Sequence, residues 1–300
     1  MGAAPEIVPL LSMAAITETL CSEAKRREDA RAQGINPGPV TGMRLLDSKI
    51  GDCFEPGLHL VHGAPGSGKS ALALPISLEC VRPGVYASAE LRPPVIARRL
   101  IARTQRVPLH LVRRMGKDEI YQRWQKVVAQ YPMFGVLDAR KSAVPVTRMR
   151  EAIDTLRESH GRHAKGLGAL VIVDSLHTWS TRTFSEISEE RERLDVAIEQ
   201  LELLASLAEI AVIAVCERNR MARKDSGQSG MKGTGRLEYA GETVMGMDEA
   251  TDGEPPPGMR AFCLHISKNR EGEPAKLPIY FNGAFQRHDP ILDGMEGSGF

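Results

Sequence analysis

Paired cysteines, long apolar runs and net charge are scarce in this 300-residue chain, and each shortage narrows the possible classes of protein. The five cysteines are widely separated without a C-x-x-C pair, which argues against a cysteine zinc site and for free thiols in a reducing compartment. No run of about 18 apolar residues could cross a membrane, and the N-terminus lacks a secretion signal. We therefore expect a cytoplasmic protein without a membrane partner. The net charge of +1 says nothing for or against nucleic acid.

Apolar strands alternate with helices along most of the chain, and a series of strands follows. With 42% hydrophobic residues, the chain can build a sizeable core. The pattern predicts an α/β fold with a mainly parallel sheet, helices on both faces and antiparallel C-terminal strands. The predicted strands are 58–61, 85–88, 134–137, 169–174, 210–215, 243–247, 260–267, 277–282 and 284–288, and the predicted helices are 6–33, 69–80, 94–104, 116–130, 146–160 and 187–208.

Residues 63–70 form the phosphate-binding loop, because they match the pattern G-x-x-x-x-G-K-[ST] between a predicted strand and a predicted helix. Glycines let successive backbone N–H groups turn toward an anion, and the helix adds the positive end of its dipole. Lys69 is expected to reach the β- and γ-phosphates, and the Ser70 hydroxyl to bind Mg²⁺. The predicted nucleotide-binding residues are Gly63, Ala64, Pro65, Gly66, Ser67, Gly68, Lys69, Ser70 and Ala71.

Three carboxylates follow predicted strands and are candidates for the chemistry at the phosphates. Asp174 ends the most hydrophobic strand, where a phosphate-binding-loop protein holds Mg²⁺ directly or through water. Glu90 and Glu217 follow two other strands, and either could position the attacking water or be a solvated loop residue. The residues themselves do not rank Glu90 against Glu217.

Five ordered blocks between residues 40 and 288 resemble the RecA-like motor domain of DnaB-type replicative helicases. They read T-G-M-R-L-L-D from Thr41, Y-A-S-A-E from Tyr86, V-I-V-D-S from Val171, V-C-E-R-N-R from Val215 with K-G-T-G from Lys232 and E-Y from Glu238, and S-K-N-R-E-G from Ser267. The resemblance implies ATP and Mg²⁺ as cofactors and single-stranded DNA as a partner. It also implies self-association into a head-to-tail ring, expected to be a hexamer, or a filament.

The same resemblance implies roles for individual residues. Glu90 would be the catalytic base, and Arg270 would act as an arginine finger in the neighbouring subunit's site, with Lys268 beside it on the γ-phosphate. Glu217 takes a sensor position where the family usually has a neutral polar residue. A carboxylate there would repel a triphosphate unless it is paired, and Arg218 and Arg220 are the nearest cations in sequence.

The predicted DNA-binding surface is the basic, glycine-rich loop of residues 220–236. Its glycines allow close approach of the backbone to phosphates, and its cations attract nucleic acid independently of sequence. A solvated loop is the alternative interpretation. The candidate DNA-binding residues are Arg220, Arg223, Lys224, Lys232, Gly233, Gly235 and Arg236.

We divide the chain into an N-terminal helix and linker (1–40), a RecA-like ATPase domain (41–290) and a flexible tail (291–300). The helix could pack on its own domain or dock on a neighbouring subunit, and the resemblance favours the neighbour. About forty residues precede the motor, too few for the family's separate N-terminal domain. His177 and Trp179 are predicted to lie in a packed loop, and no role is assigned to the arginines at 98, 99, 103 and 106.

These features together predict an ATP-hydrolysing motor that moves along single-stranded DNA and acts as a DNA helicase in replication. Two alternatives stay open. The first is a RadA-like or RecA-like recombination ATPase, and the second is a regulatory switch that binds ATP and a protein partner without moving along DNA.

Overall fold

The computed structural model describes residues 10, 12–79, 82–160, 168–217, 235–250 and 255–290. The helices in these segments are α1 (Met13–Ala32), α2 (Arg44–Lys49), α3 (Lys69–Glu79), α4 (Pro93–Thr104), α5 (Leu109–Val112), α6 (Lys117–Gln130), α7 (Val146–His160), α8 (Leu176–Thr183), α9 (Glu190–Ala208) and α10 (Gly235–Ala240). The strands are β1 (Gly57–Gly63), β2 (Gly84–Ser88), β3 (Phe134–Asp138), β4 (Leu170–Asp174), β5 (Ala211–Glu217), β6 (Thr243–Glu249), β7 (Met259–Asn269), β8 (Ala275–Asn282) and β9 (Arg287–Pro290).

The described strands form one sheet in the order β3-β2-β4-β5-β1-β6-β7-β8-β9. The first six strands in this order run parallel to one another, and β7, β8 and β9 extend the sheet by antiparallel pairing. The predicted fold class is therefore confirmed. Because β1 lies inside the parallel region, the loop that follows it opens at an edge shared with the ends of β2, β4 and β5.

The central strands are apolar on both sides because helices cover both faces of the sheet. In β4, Leu170 and Ile172 belong to the core that contains α3 and α4, whereas Val171 and Val173 belong to the core that contains α7, α8 and α9. All five residues of β4 are buried. Its fifth residue, Asp174, is therefore a carboxylate at the end of a strand that has no solvent-facing side.

Three local predictions differ from the structure. His177 and Trp179 lie in α8 and not in a loop; Ser175 is the N-cap, and the buried Trp179 Nε1 donates to the Val144 carbonyl at 2.9 Å. The last strand is β9 and begins later than predicted, because the Asn282 side chain accepts from two backbone N–H groups of a turn at 283–286. Helices α2 and α5 were not predicted.

The chain divides into two units, residues 1–37 and 38–300. The first unit contains α1, whose N-cap Ser12 accepts from the N–H of Ala15 at 3.2 Å. No side chain of α1 is buried, and Met13, Ile16 and Leu20 are its exposed large apolar residues. None of the helices that the structure describes is long and apolar enough to span a membrane. The predicted tail at 291–300 lies outside the described residues.

Candidate nucleotide site

The phosphate-binding loop joins the end of β1 to the start of α3. Gly66 and Gly68 have φ values of 77° and 89°, a region that favours glycine, so the backbone can make the turn that the loop requires. The Lys69 Nζ folds back over the loop and donates to the carbonyl oxygens of Gly63 and Ala64, each at 2.9 Å. These contacts hold the ammonium group over the loop, where the phosphates were predicted to bind.

Four strand ends meet beside this loop. In the register of the sheet, Gly63 of β1 is opposite Glu217 of β5, and Ser88 of β2 is opposite Asp174 of β4. Asp174 is 1% exposed and accepts hydrogen bonds from the hydroxyls of Tyr86 and Ser70. Burial raises the pKa of the Asp174 carboxyl, and the two hydrogen bonds act in the opposite direction.

The predicted catalytic charges converge on Lys69. Burial lowers the pKa of the Lys69 ammonium group, while the nearby carboxylates of Asp174, Glu217 and Glu90 act to raise it. The structure therefore brings together four charged groups, of which Lys69 and Glu217 are 148 positions apart in the sequence. A phosphate group bound at the loop would lie within this arrangement.

The first turn of α8 contacts both candidates for the residue that activates water. The Ser175 Oγ donates to Glu90 Oε1 at 2.5 Å, and the Thr178 Oγ1 lies 3.4 Å from the same oxygen. On the other side, the backbone N–H of Glu217 donates to the His177 Nδ1 at 3.5 Å. Sequence reasoning missed this helix, although a serine directly after an apolar strand is a usable N-cap signal.

Ser70 and Asp174 fit a magnesium ion by their chemistry. Mg²⁺ prefers oxygen ligands and is usually held by one or two protein side chains together with substrate phosphates and water. A hydroxyl and a carboxylate joined by a hydrogen bond meet that requirement. Among the described residues no group of three or more His, Cys, Asp or Glu side chains could hold a metal ion alone. The pair is therefore suited to a metal that arrives with a nucleotide.

Two arginines near the loop were not assigned a role from the sequence. Burial raises the pKa of both Tyr86 and Asp174, and the nearby charge of Arg99 on α4 acts in the opposite direction. Arg260 on β7 donates from Nη1 to the carbonyl oxygen of Gly66 at 3.0 Å. Its guanidinium also pairs with Glu249 at 3.0 Å and lies 4.9 Å from the centre of the Phe262 ring.

Lys268 and Arg270 do not join the other predicted site residues. Asn269 pairs with Thr243, and Thr243 pairs with His59, four residues before Gly63 on β1. This register puts Lys268 and Arg270 about 13 Å along the strand direction from the phosphate-binding loop of their own subunit. They lie toward the opposite ends of the parallel strands. There the Lys268 Nζ donates to the Tyr239 carbonyl at 2.6 Å, and Arg270 pairs with Glu242 at 3.4 Å.

The comparison with protein families agrees with this architecture. The model of the DnaB-like helicase C-terminal domain matches residues 38–290. The chain belongs to this family. The resemblance found in the sequence blocks is thereby confirmed, and the fold is RecA-like.

Known proteins match this chain at low sequence identity. The replicative DNA helicase DnaB of Haemophilus influenzae is 24% identical over 278 residues, which are 86% of this chain and 56% of that protein. The chain thus spans about half the length of this curated relative. A solved ATPase domain matches with a TM-score of 0.73 at 16% identity, covering 94% of this chain and 100% of that one. A DnaB-like replicative helicase whose structure was solved with its interactions with primase matches with a TM-score of 0.70 at 16% identity, covering 92% and 66%.

The predicted DNA-binding residues of this DnaB-like domain are only partly within the described residues. Arg220, Arg223, Lys224, Lys232 and Gly233 lie outside them. The two remaining candidates, Gly235 and Arg236, begin α10 and are therefore not part of a loop as predicted. Arg236 lies 3.6 Å from Glu199 and 3.7 Å from Glu202 on α9, so ion pairs with that helix favour a helical start here.

Proposed function

We propose that this DnaB-like domain hydrolyses ATP with Mg²⁺ and uses the energy to move along single-stranded DNA as a helicase. The observation that carries the proposal is the convergence of Lys69, Ser70, Asp174, Glu90 and Glu217 at one edge of the parallel sheet. A triphosphate needs a cation, backbone donors, a metal-binding pair and a carboxylate that orients water, and this edge offers all four.

Each residue has a defined task in the proposed reaction. The N–H groups of the phosphate-binding loop would bind the β-phosphate, and Lys69 would exchange the carbonyls of Gly63 and Ala64 for phosphate oxygens. Ser70 and Asp174 would hold Mg²⁺, which supplies positive charge to the phosphates. Glu90 would accept a proton from the attacking water, with Ser175 fixing its carboxylate.

The position of Arg270 supports an arginine finger that acts on the next subunit. It lies at the edge of the sheet opposite its own phosphate-binding loop, and its side chain is 55% exposed. A guanidinium there can bind the γ-phosphate in a neighbour, with Lys268 beside it, and stabilise the charge of the transition state. Repetition of such a contact is heterologous, so it produces a ring, which we propose to be a hexamer, or a filament.

We propose that residues 220–236 bind DNA, because the chain enters this segment from Glu217 at the nucleotide site and four of the five candidate cations precede α10. Change at the γ-phosphate would reach the loop through the end of β5. We further propose that the linker segment 1–40 docks on a neighbouring subunit. The exposed Met13, Ile16 and Leu20 of α1 support this, since their spacing puts them on one side of the helix.

The steady-state ATPase rate tests the proposal when it is measured against protein concentration, with and without single-stranded DNA. We expect the rate per subunit to rise cooperatively with both. Arg270→Ala should lower the rate by about 10³-fold or more while ATP binding remains, because a finger stabilises only the transition state. Arg148→Ala is the matched control, since Arg148 is also 55% exposed and makes a surface ion pair.

An ATPase rate per subunit that does not change with protein concentration, with single-stranded DNA or with Arg270→Ala would contradict the motor. It would favour a switch that acts on a protein partner. Strand displacement on a forked duplex then separates the helicase from a recombination ATPase. A helicase should displace the strand in an ATP-dependent manner, and Arg270→Ala should not.

A further inference from the structure

Tyr86 is a fully buried tyrosine whose hydroxyl donates a hydrogen bond to Oδ2 of Asp174. It lies in β2, and Asp174 ends the neighbouring parallel strand β4. Tyr86 begins the Y-A-S-A-E block that contains Glu90, and the resemblance to DnaB-type helicases assigns it no role. The contact therefore joins a residue without an assigned role to the predicted magnesium carboxylate.

The register of the two strands explains why a tyrosine is needed to make this contact. Ser88 is opposite Asp174, and Tyr86 is opposite Ile172, so Tyr86 starts two residues, about 7 Å, before the carboxylate along the strand direction. Alternation puts Ile172, Asp174 and Tyr86 on one face of the sheet. A tyrosine at this position can extend along that face to the carboxylate, whereas a phenylalanine would lack the oxygen that binds it.

Asp174 needs a fixed donor that does not itself bind the nucleotide. Ser70 also bonds Asp174, but its hydroxyl is a predicted metal ligand and has to reorient when Mg²⁺ and phosphates bind. The phenol of Tyr86 belongs to the core that packs under α3 and can keep its bond to Asp174 throughout. A hydrogen bond to a metal-binding carboxylate fixes its orientation and commonly changes metal affinity 10- to 100-fold when it is lost.

We propose that Tyr86 is a positioning residue that orients the Asp174 carboxylate for Mg²⁺ bound with the nucleotide. This inference rests on the proposed function and adds to it a residue that acts from the core. Tyr86 contacts neither substrate nor metal. Its effect passes through the single bond to Asp174, so it should alter the magnesium-dependent part of nucleotide binding and leave the magnesium-independent part unchanged.

Binding of a fluorescent ADP analogue, titrated with MgCl₂ or measured in EDTA, tests the proposal without turnover. For Tyr86→Phe we expect the MgCl₂ concentration that gives half of the magnesium effect to rise about tenfold. The dissociation constant in EDTA should stay within twofold of the wild-type value. Tyr121→Phe, on an exposed tyrosine of α6, is the matched control and should behave as the wild type.

The magnesium readout separates positioning from a merely structural role. If the hydrogen bond of the buried phenol only stabilised the fold, Tyr86→Phe would change the melting temperature and leave the half-saturating MgCl₂ concentration within twofold of wild type. That result would overturn the proposal. In an Asp174→Asn background Tyr86→Phe should shift the magnesium response no further, because the carboxylate that it orients is gone; an undiminished shift would also overturn it.

Two further outcomes are distinct. If wild-type protein binds the analogue with no magnesium effect, the proposed magnesium site fails, and Tyr86 with it. If wild type responds and Tyr86→Phe responds equally, only the role of Tyr86 fails. Should Tyr86→Phe not fold, 3-fluorotyrosine at position 86 keeps the ring and alters the phenol as a donor. It should shift the magnesium response, and an unchanged response would contradict the proposal.

Discussion

Glu90 and Glu217 are contacted differently by the same helix, and this difference ranks them as candidates for the catalytic base. The Glu90 carboxylate is held by the Ser175 and Thr178 hydroxyls, whereas Glu217 is contacted at its backbone N–H by His177. A general base has to present a fixed carboxylate oxygen to water. The contacts therefore favour Glu90 for this role.

We expect Glu90→Gln to reduce the ATPase turnover number by about 10²–10⁴-fold with little change in nucleotide affinity. Glu217→Gln, the matched substitution, should reduce the turnover number much less. The Glu217 carboxylate would affect the electrostatic potential at the site but would not accept the proton of the attacking water. Single-turnover hydrolysis and equilibrium binding on both variants measure this. Equal losses would contradict the assignment of Glu90 as the base.

The sequence predicts those site residues that belong to a local pattern and misses those placed by long-range contacts. Residues 63–70 carry their function in one contiguous motif, and Asp174 is recognisable at the end of an apolar strand. Tyr86 meets Asp174 across 88 positions, and Arg260 meets Gly66 across 194. Such contacts depend on strand order and register, which no local spacing of residues encodes.

At the scale of elements, β7 connects the antiparallel extension to the phosphate-binding loop. Arg260 near its start binds the Gly66 carbonyl from outside the loop, and its guanidinium group also pairs with Glu249 and lies over the Phe262 ring. Holding this carbonyl outward helps the N–H groups of the loop to point inward. Arg260 should therefore order the loop before the nucleotide arrives.

Arg260→Met keeps an unbranched apolar side chain at this position and removes the guanidinium donors. We expect it to weaken binding of a fluorescent ADP analogue roughly two- to tenfold, the value of one hydrogen bond of about 0.5–1.5 kcal/mol. Arg287→Met is the control, because Arg287 is 41% exposed and pairs with Asp289 on the same strand. Unchanged affinity in Arg260→Met would show that the loop is ordered without this arginine.

Most elements were predictable because hydrophobic periodicity is strong in buried strands and long helices. The strand at Leu170–Asp174 and the helix at Glu190–Ala208 follow from it directly. Short elements carry too few residues for a period, which is why α2, α5, α8 and α10 were missed. The start of β9 depends on hydrogen bonds to Asn282, a turn that was not recognised from residue types.

At the scale of the whole molecule, two buried histidines couple folding to pH. Burial lowers the pKa of His59 to about 4, and burial together with the charge of Arg103 lowers the pKa of His288 to about 3. His59 lies at the start of β1, and His288 stacks on Phe281 against Gly68. In the unfolded chain both would bind a proton near pH 6.5, so acid favours unfolding.

The contribution of neutral His59 to the free energy of unfolding should therefore be complete above pH 6.5 and should decrease as the pH drops toward 4. At pH 5 the loss attributable to His59 is about 2 kcal/mol relative to about pH 7.5. Urea denaturation at pH 5 and at about pH 7.5 measures this loss. His59→Gln should reduce the difference between the two free energies of unfolding by about this amount, even if the substitution itself changes the stability of the protein. His110→Gln, at an exposed position, should not. An equal pH difference in both variants would contradict the coupling through His59.

The two arginines at the ends of β7 determine how many complete sites an assembly of subunits contains. Arg260 serves the loop of its own subunit, while Arg270, ten residues and roughly 33 Å further along the strand direction, is proposed to serve the next one. A linear row of subunits then always has one loop at its end that no finger reaches, and one finger at the other end without a loop. Only closure of the row pairs every finger with a loop, so the last contact joins the two incomplete ends and completes one further site.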